Sequence, residues 1–479
     1  MFITNLEIQK KKGEEYACSF IINDQAVSLC NSLRRVILSN IPNASFSDDA
    51  NSDGIRSSIV IKKNDSVLHN ELLAQRIGLI PICLYKNDVL KIHTKWDYMT
   101  NKRVYSFINP PPKFNLKVIN NVSERNQLAL INENASHDIL TVTSERFTVD
   151  NENPQEFFIS DYFTGDYPII NKLKSEKIVN NSEQIDIDCT PTCGIGFEHT
   201  RYTSVGTVSY EFLNDQEKID ETRTKYIEHI KNERKNKNLE ALTDKEMIDI
   251  EKSFDILDKD RVYKKNKYNE ANSIKFNIEG VGNFKPHQIF TNALRMLHMM
   301  LNDILKCIEI KDNSDFEINK DKMVLEQNTK NEFTFKIFNE NHTLGNLISD
   351  FGKMIYLVDS DIKSDNDDDN DLITFVAYKM PHPLKNEVVI KYRVNQDSKL
   401  KEFVNHNINI LGLSIDVESI DTNHLNKLVV LIAFIKTINI IISKIKEIET
   451  DYNSRLNENG LNEFITFTHD DFSETFVQI

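Results

Sequence analysis

Cysteine is scarce in this chain. Six in 479 residues are too few for a disulfide framework, and Cys18, Cys30, Cys83 and Cys307 each stand alone in apolar or helical context, as buried thiols in a reducing compartment do. Positive charge is also short, with 58 Lys and Arg against 73 Asp and Glu and a net charge of -15. Phosphate-backbone binding needs clustered cations, so no direct specific DNA contact is expected, and a basic or neutral protein surface suits the chain better. No Gly-rich phosphate loop, Ser-His-Asp set or paired-carboxylate motif occurs, which leaves no catalytic residue to nominate. No targeting segment is expected, because Met1 to Ile8 alternates like a strand and precedes Lys10, Lys11 and Lys12, whereas a secretory signal puts its charge first. The nearest thing to a membrane span, Leu428 to Ile442, is broken by Lys436 and followed by Lys444 and Lys446. A mid-span Lys costs about 2.5–3.5 kcal/mol, so a long helix packed on protein, with no membrane, is the expectation.

What is present is apolar periodicity. Hydrophobic residues make up 40% of the chain, enough for packed cores, and the length suits two to four domains. Met1 to about Ile22 reads as strand, and Asn23-Asp24 then offers N-cap side chains for a helix. Leu29, Leu33, Val36, Ile37 and Ile41 recur at helical spacing and Pro42 ends the run, so one face is apolar while Arg34 and Arg35 point elsewhere. A second helix is expected from Ser66 to Ile77, stopped by Gly78 as a left-handed cap, with a strand candidate from Ile55 to Lys62 ahead of it.

From Lys91 to Asp188 short strands and turn signals dominate, among them Asn109-Pro-Pro-Pro112 and Thr164-Gly-Asp166. Gln184 to Cys189 and Gly206 to Phe212 read as strands around the loop Cys193-Gly-Ile-Gly-Phe-Glu-His-Thr200. Asp215 to Asn269 is dense in charge and poor in periodicity, as a solvated helix or mobile excursion is. Ser273 to Glu279 alternates, and Pro286 then suits the first turn of a helix with Ile289, Ala293, Met296, Leu297, Met300, Leu301 and Ile304 as its stripe. Glu309 to Lys330 has a weak pattern; fully extended it spans ~70 Å, enough to tether two domains. A strand at Phe333 to Phe338, a helix from Thr343 to Ile355, strands at Ile373 to Lys379 and Glu387 to Val394, and a long helix from Asn423 to Glu449 complete the chain. Helix-strand-strand-helix is an α+β order, and it repeats the order of the first part, most clearly at Leu29 to Leu38 and Leu344 to Phe351.

Two clusters invite a metal. Cys189-Thr-Pro-Thr-Cys193 with His199 supplies three candidate ligands at a spacing unlike a zinc ribbon; a strand cysteine with a structural loop histidine is the plainer explanation, with metal binding left open. Asp365-Asn-Asp-Asp-Asp-Asn-Asp371 alternates like a metal loop, but Asn370 stands where a calcium loop needs its turn Gly and Val376 where it needs its last Glu. An acidic solvated loop over 359–371 is expected instead.

Asn31-Ser-Leu-Arg-Arg35, the segment Leu68-His-Asn-Glu-Leu-Leu-Ala-Gln-Arg-Ile-Gly-Leu-Ile-Pro81, Gly194-Ile-Gly-Phe-Glu-His199 and Ile278-Glu-Gly-Val-Gly282, in that order, resemble the third-largest, α-like subunit of eukaryotic and archaeal RNA polymerases. Phe333-Thr-Phe335, His342-Thr-Leu-Gly-Asn-Leu347 and Tyr378-Lys-Met-Pro-His-Pro-Leu384 resemble its small α-like partner. The resemblance implies an α+β fold in which two α-subunit-type dimerisation modules, helices on mixed or antiparallel sheets, form an intramolecular pseudo-dimer. The larger module is expected at 1–45 with 181–308, a β-rich insertion in it at 46–180, and a charged excursion at 215–269. A linker at 309–330, the small module at 331–450 and a C-terminal tail at 451–479 follow.

Leu29, Leu33, Val36 and Ile37 would meet Leu344, Leu347, Ile348 and Phe351 in the dimerisation contact, with Gly345 letting two helices approach and His342 opening its helix. Arg34 and Arg35 would dock the second-largest catalytic subunit, unless they only snorkel into water. The function implied is that of a non-catalytic assembly subunit of DNA-directed RNA polymerase, in a hetero-oligomeric complex with the largest, second-largest and other small subunits. The alternative is a free-standing transcription adaptor that keeps the dimerisation module. No cofactor is implied in this chain, magnesium and, where present, zinc being expected in other subunits. Relatives often carry insert cysteines for zinc or an iron-sulfur cluster, and 91–188 has none. The Asn, Lys, Ile and Asp bias suggests an AT-rich genome, and the fusion suggests a large DNA virus: host cytoplasm, viral factory and virion if so, otherwise the nucleus.

Overall fold

The computed structural model describes residues 2–12, 14–48, 58–86, 90–97, 102–120, 139–150, 153–174, 182–237, 242–266, 269–312, 315–357, 372–395, 399–407, 420–461 and 467–468. The aspartate run from Asp365 to Asp371 lies outside the described residues.

In chain order the elements begin with β1 (Ile3–Lys11), β2 (Glu14–Asn23), α1 (Val27–Ser39), β3 (Pro42–Ser45), β4 (Ile59–Asn64), α2 (Asn70–Gly78), β5 (Ile92–Asp97), β6 (Lys102–Phe107) and β7 (Phe114–Ile119). Next come β8 (Ile139–Thr143), β9 (Thr148–Val149), β10 (Ile169–Lys174), β11 (Gln184–Cys189), β12 (Thr192–Ile195), β13 (Val205–Phe212), α3 (Gln216–Asn236), α4 (Asp244–Leu257), β14 (Ser273–Gly280) and α5 (Pro286–Leu305). The last part holds β15 (Ile308–Asp312), β16 (Asp315–Ile318), β17 (Met323–Gln327), β18 (Glu332–Phe338), α6 (His342–Tyr356), β19 (Ile373–Lys379), β20 (Glu387–Val394), α7 (Leu400–Asn407), α8 (Thr422–Glu458) and β21 (Phe467–Thr468).

Two antiparallel sheets frame the molecule, one in the order β1-β2-β14-β13 and the other in the order β17-β18-β20-β19. Each starts as a hairpin, runs into a helix (α1 or α6), returns as a second antiparallel pair and ends in a long helix (α5 or α8). Strand order and connectivity are therefore the same in both. The helices segregate from the strands, which makes the fold α+β.

Four helices close a ring between these sheets: α1 packs on α5 and α6, and α8 packs on the same two. Helix α5 covers β2 and β14, α6 covers β19 and β20, and one core runs continuously through both halves. Helix α8 has neighbours on several sides, which is why Leu428 to Ile435 are all buried without a polar face between them. It is long and apolar enough to cross a membrane by length and composition, but 72% of its most apolar window is buried inside the protein.

Several boundaries differ from the sequence reading for local reasons. Helix α1 is capped at Ala26 with no side-chain cap; Asn23 instead donates to the Thr4 hydroxyl at 3.0 Å, and Asp24 makes a turn at φ 55°. Helix α2 starts at Asn70 because Asn64 Oδ1 holds Ser66 in a turn, its Oγ at 2.6 Å and its N at 3.1 Å. Its cap is Leu79 at φ -89°, so Gly78 is no left-handed cap. The segment 309–330, read as an extended tether, carries the hairpin β15–β16 and then β17, the edge strand of the second sheet. The region 215–269 holds a helical hairpin, α3 and α4, tied by Arg223–Asp255 and Arg234–Glu246 at 2.7 Å each, with a Thr243–Glu246 capping box.

The β-rich part between α1 and β13 contains the sheet β4-β11-β7-β9, so residues 184–189 pair with strands of the region expected to end at 180. Its core is a ring cluster, Phe46, Phe114, Phe147, Phe157 and Phe158.

Candidate assembly interface

The eight aliphatic and aromatic positions nominated for the dimerisation contact, Leu29, Leu33, Val36, Ile37, Leu344, Leu347, Ile348 and Phe351, are each 1% exposed or less. They sit on α1 and α6, which pack on each other although more than 300 residues separate them in sequence. A polar contact fixes their register: Ser32 Oγ donates to the Thr343 carbonyl at 3.2 Å and Arg35 Nε donates to Thr343 Oγ1 at 2.8 Å. Asn341 caps α6, its Oδ1 accepting the Thr343 N–H at 2.9 Å, which satisfies one orphan donor of the helix start.

Arg34 and Arg35 bond to different elements. Arg35 turns inward along the α1–α6 contact, where the sequence reading had it pointing outward. Arg34 Nε donates one turn back to Asn31 Oδ1 at 3.1 Å, and its side chain is half-buried.

Gly345 faces its own sheet, not a helix crossing. A Cβ there would stand 2.7 Å from Tyr378 Cδ2 and 2.7 Å from Val388 Cγ1, so only glycine lets α6 lie this close to β19 and β20. His342 is the first residue of α6, and its Nδ1 lies 3.4 Å from the Tyr378 hydroxyl.

The opposite side of the helix ring was not nominated from sequence. There the last turns of α8 reach the first sheet, and the segment expected to be a tail from 451 is helical to Glu458. Tyr452 lies among Phe20 and Phe290 at 5.3 and 4.9 Å between ring centroids, and its hydroxyl donates to the His287 carbonyl at 3.1 Å. Asp451 Oδ2 accepts the backbone N–H groups of Phe2 at 2.6 Å and Ile3 at 2.7 Å, tying α8 to the start of β1. Arg295 on α5 pairs with Glu449 at 2.7 Å. Beneath them His287 Nδ1 meets Glu15 at 2.7 Å. Burial pushes the Glu15 carboxyl up, but the hydrogen bond and charge of His287, with Lys285 and Lys10, outweigh it and hold it below the usual range. The spacing Ile441, Ile445, Ile448, Tyr452, Leu456 is the signal that continues this helix, masked by the charges around it.

Three further motif segments converge on one surface. Gly196 crosses the end of α1 so closely that a Cβ would stand 2.6 Å from the Leu38 carbonyl oxygen, and Phe197 N–H donates to Ser39 O at 2.8 Å. The end of α2, the turn after His199 and the turn before α5 then line a shallow depression of Leu79, Pro81, Arg201, Val205, Val281 and Asn283. Arg201 is held there by Asp48 and by the Phe46 carbonyl, while Leu79 stays 60% exposed.

His199 Nδ1 accepts the Arg201 N–H at 3.1 Å as the cap of a short 3-10 turn, and Cys189 and Cys193 belong to β11 and β12. Among the described residues no three Cys, His, Asp or Glu side chains group as a metal site. Cys18, Cys30, Cys83 and Cys307 are buried; burial pushes the Cys18 and Cys30 thiols up to about 12 and that of Cys83 up to about 11, so these three are not thiolates at neutral pH.

Comparison with known proteins falls on this same architecture. The RNA polymerase Rpb3/Rpb11 dimerisation domain matches residues 19–301, more than half of the chain. The chain is 24% identical over 220 residues to DNA-directed RNA polymerases II, IV and V subunit 3 of Arabidopsis thaliana, covering 43% of this chain and 60% of that protein. It is 28% identical over 290 residues to DNA-directed RNA polymerases I and III subunit rpac1 of Dictyostelium discoideum, covering 56% and 72%. A third similarity, 33% over 90 residues, is to DNA-directed RNA polymerase II subunit rpb11 of Dictyostelium discoideum, covering 19% of this chain and 62% of that one. With the matched residues taking in α1, β13, β14 and most of α5, the chain belongs to the RNA polymerase Rpb3/Rpb11 dimerisation domain family.

Proposed function

We propose that this chain is a non-catalytic assembly subunit of a DNA-directed RNA polymerase, in which two α-like modules pair within one polypeptide and are presented, already paired, to the second-largest catalytic subunit. The observation that carries this reading is the repeated connectivity: sheets β1-β2-β14-β13 and β17-β18-β20-β19 have the same strand order, and their helices close one ring. Similarity to proteins named as a subunit 3 and as rpb11 supports the same pairing.

Physically, the apolar faces of α1 and α6 exceed what each thin sheet can cover, so each helix hides surface that the other would leave in water. Joining the two halves in one chain makes their encounter intramolecular, at about millimolar effective concentration. Arg34, whose bond stays on its own helix at Asn31, is the arginine we single out to reach a partner, while Arg35 bridges to Thr343 on α6; each keeps its terminal N–H donors beyond the one Nε bond.

Co-expression of the tagged chain with the two large subunits of its own polymerase tests the reading. Stable co-purification is expected, and Arg34→Glu should weaken it while the chain's melting temperature stays within a few degrees. Absence of both large subunits from the wild-type eluate would favour a free-standing adaptor instead; undiminished capture by the Arg34→Glu chain would remove that residue from the docking surface.

A further inference from the structure

The motif Tyr378-Lys-Met-Pro-His-Pro-Leu384 is not consumed by the pairing of the two halves. Tyr378 packs inward against Gly345 and His342, but the six residues from Pro381 to Asn386 that join β19 to β20 are all exposed. Leu384 is 88% exposed, more than any other large hydrophobic among the described residues. The tip is held in one shape: His382 Nδ1 accepts the Leu384 N–H at 3.1 Å, the His382 carbonyl accepts the Lys385 N–H at 3.1 Å, and the Lys385 carbonyl accepts the Glu387 N–H at 2.8 Å. Two prolines, Pro381 and Pro383, remove further backbone freedom. A leucine displayed on a rigid turn has already lost the entropy that docking would otherwise cost.

Its surroundings select the partner's chemistry. Lys379 and Lys385 flank the tip, both exposed and neither in an ion pair among the described residues, and His342 and His382 are exposed beside them. The chain as a whole carries -15, so a local patch of this sign stands out against it. The tip also adjoins the start of α6. Asn339 N–H donates to Asn386 O at 2.6 Å, which brings the tip to the start of α6, and Thr343 at that start holds Arg35.

We infer that the β19–β20 tip is a second docking element, Leu384 seating in an apolar pocket of the second-largest polymerase subunit whose rim is acidic. This rests on the assembly role proposed above and adds a separate point of attachment on the other half of the chain. The test uses the full tagged chain co-expressed with that large subunit, comparing wild type, Leu384→Glu, and Lys379→Glu with Lys385→Glu.

Capture is expected to fall at least about tenfold for Leu384→Glu at all salt concentrations, and for the double lysine variant chiefly at low salt, where exposed charges are least screened. Circular dichroism and melting of the isolated variants should match wild type, since the tip is exposed. Wild-type levels of capture by both variants, with wild type itself bound, would overturn this inference and leave the assembly role standing. Failure of wild type to bind would overturn the assembly role, and this inference with it.

Discussion

Single residues in this chain carry charge into places where its loss is expensive. Lys322, 1% exposed on its side chain, pairs with Glu340 at 2.7 Å and lies 4.6 Å above the Trp96 ring, so it joins the second sheet to the β5–β6 hairpin. Removing one partner of a buried pair leaves an uncompensated charge, and Lys322→Met is expected to cost about 3–5 kcal/mol in denaturant titration. Lys322→Met combined with Glu340→Leu should recover most of that loss; a double variant as unstable as the single one would show that packing on Trp96, and not the stranded carboxylate, is what Lys322 supplies. His298 on α5 gives a pH signature. Burial and the charge of Lys446 push it down to about 4, from an unfolded value near 6.5. The folded protein therefore prefers the neutral ring, and this contribution is fully present above pH 6.5 and lost as pH falls toward 4. Between pH 7 and pH 5 it amounts to about 2 kcal/mol. Urea titrations at the two pH values should show this difference in wild type and not in His298→Leu.

At the scale of elements, the close seat of α6 on its sheet depends on Gly345. Gly345→Val must push the helix off Tyr378 and Val388, and overpacking of this kind costs about 1–3 kcal/mol. Because α6 also packs on α1 and α8, the shift should propagate to the helix ring, visible as faster amide exchange along α1; faster exchange confined to α6 would show that the ring absorbs it. This glycine also marks where sequence reasoning stopped short. The motif around it was legible, and so were the stripes of α1, α5 and α6, because helical periodicity reports burial directly. What the glycine is close to was not, since periodicity says that a face is covered and not by what. Helix α8 shows the same limit from the other side: Asp451 lies among charged residues and read as tail, yet its carboxylate accepts two backbone N–H groups of β1 from the far end of the chain. The segment 309–330 resembles a tether in sequence because its strands are short and partly polar, and β17 is an edge strand whose pattern needs only one covered face.

For the whole molecule, pairing of the two halves should survive loss of their covalent connection. Lys320 and Asp321 are exposed in the turn before β17, and a protease site inserted between them should yield two fragments that co-elute on size exclusion without denaturant. Dissociation at micromolar concentration would mean that the join, and not the helix ring, keeps the halves together. The amino-acid sequence by itself determined the α+β composition, the apolar faces of the helices at 27–39, 286–305 and 342–356, and the ordered motifs of the family, because local spacing and residue type suffice for those. Only the tertiary structure decided that Arg35 serves Thr343 while Arg34 stays beside Asn31, that Tyr452 and Asp451 close the second side of the ring, and that Leu384 remains in water. Each of these depends on which distant segment arrives beside a side chain, and no local pattern carries that information.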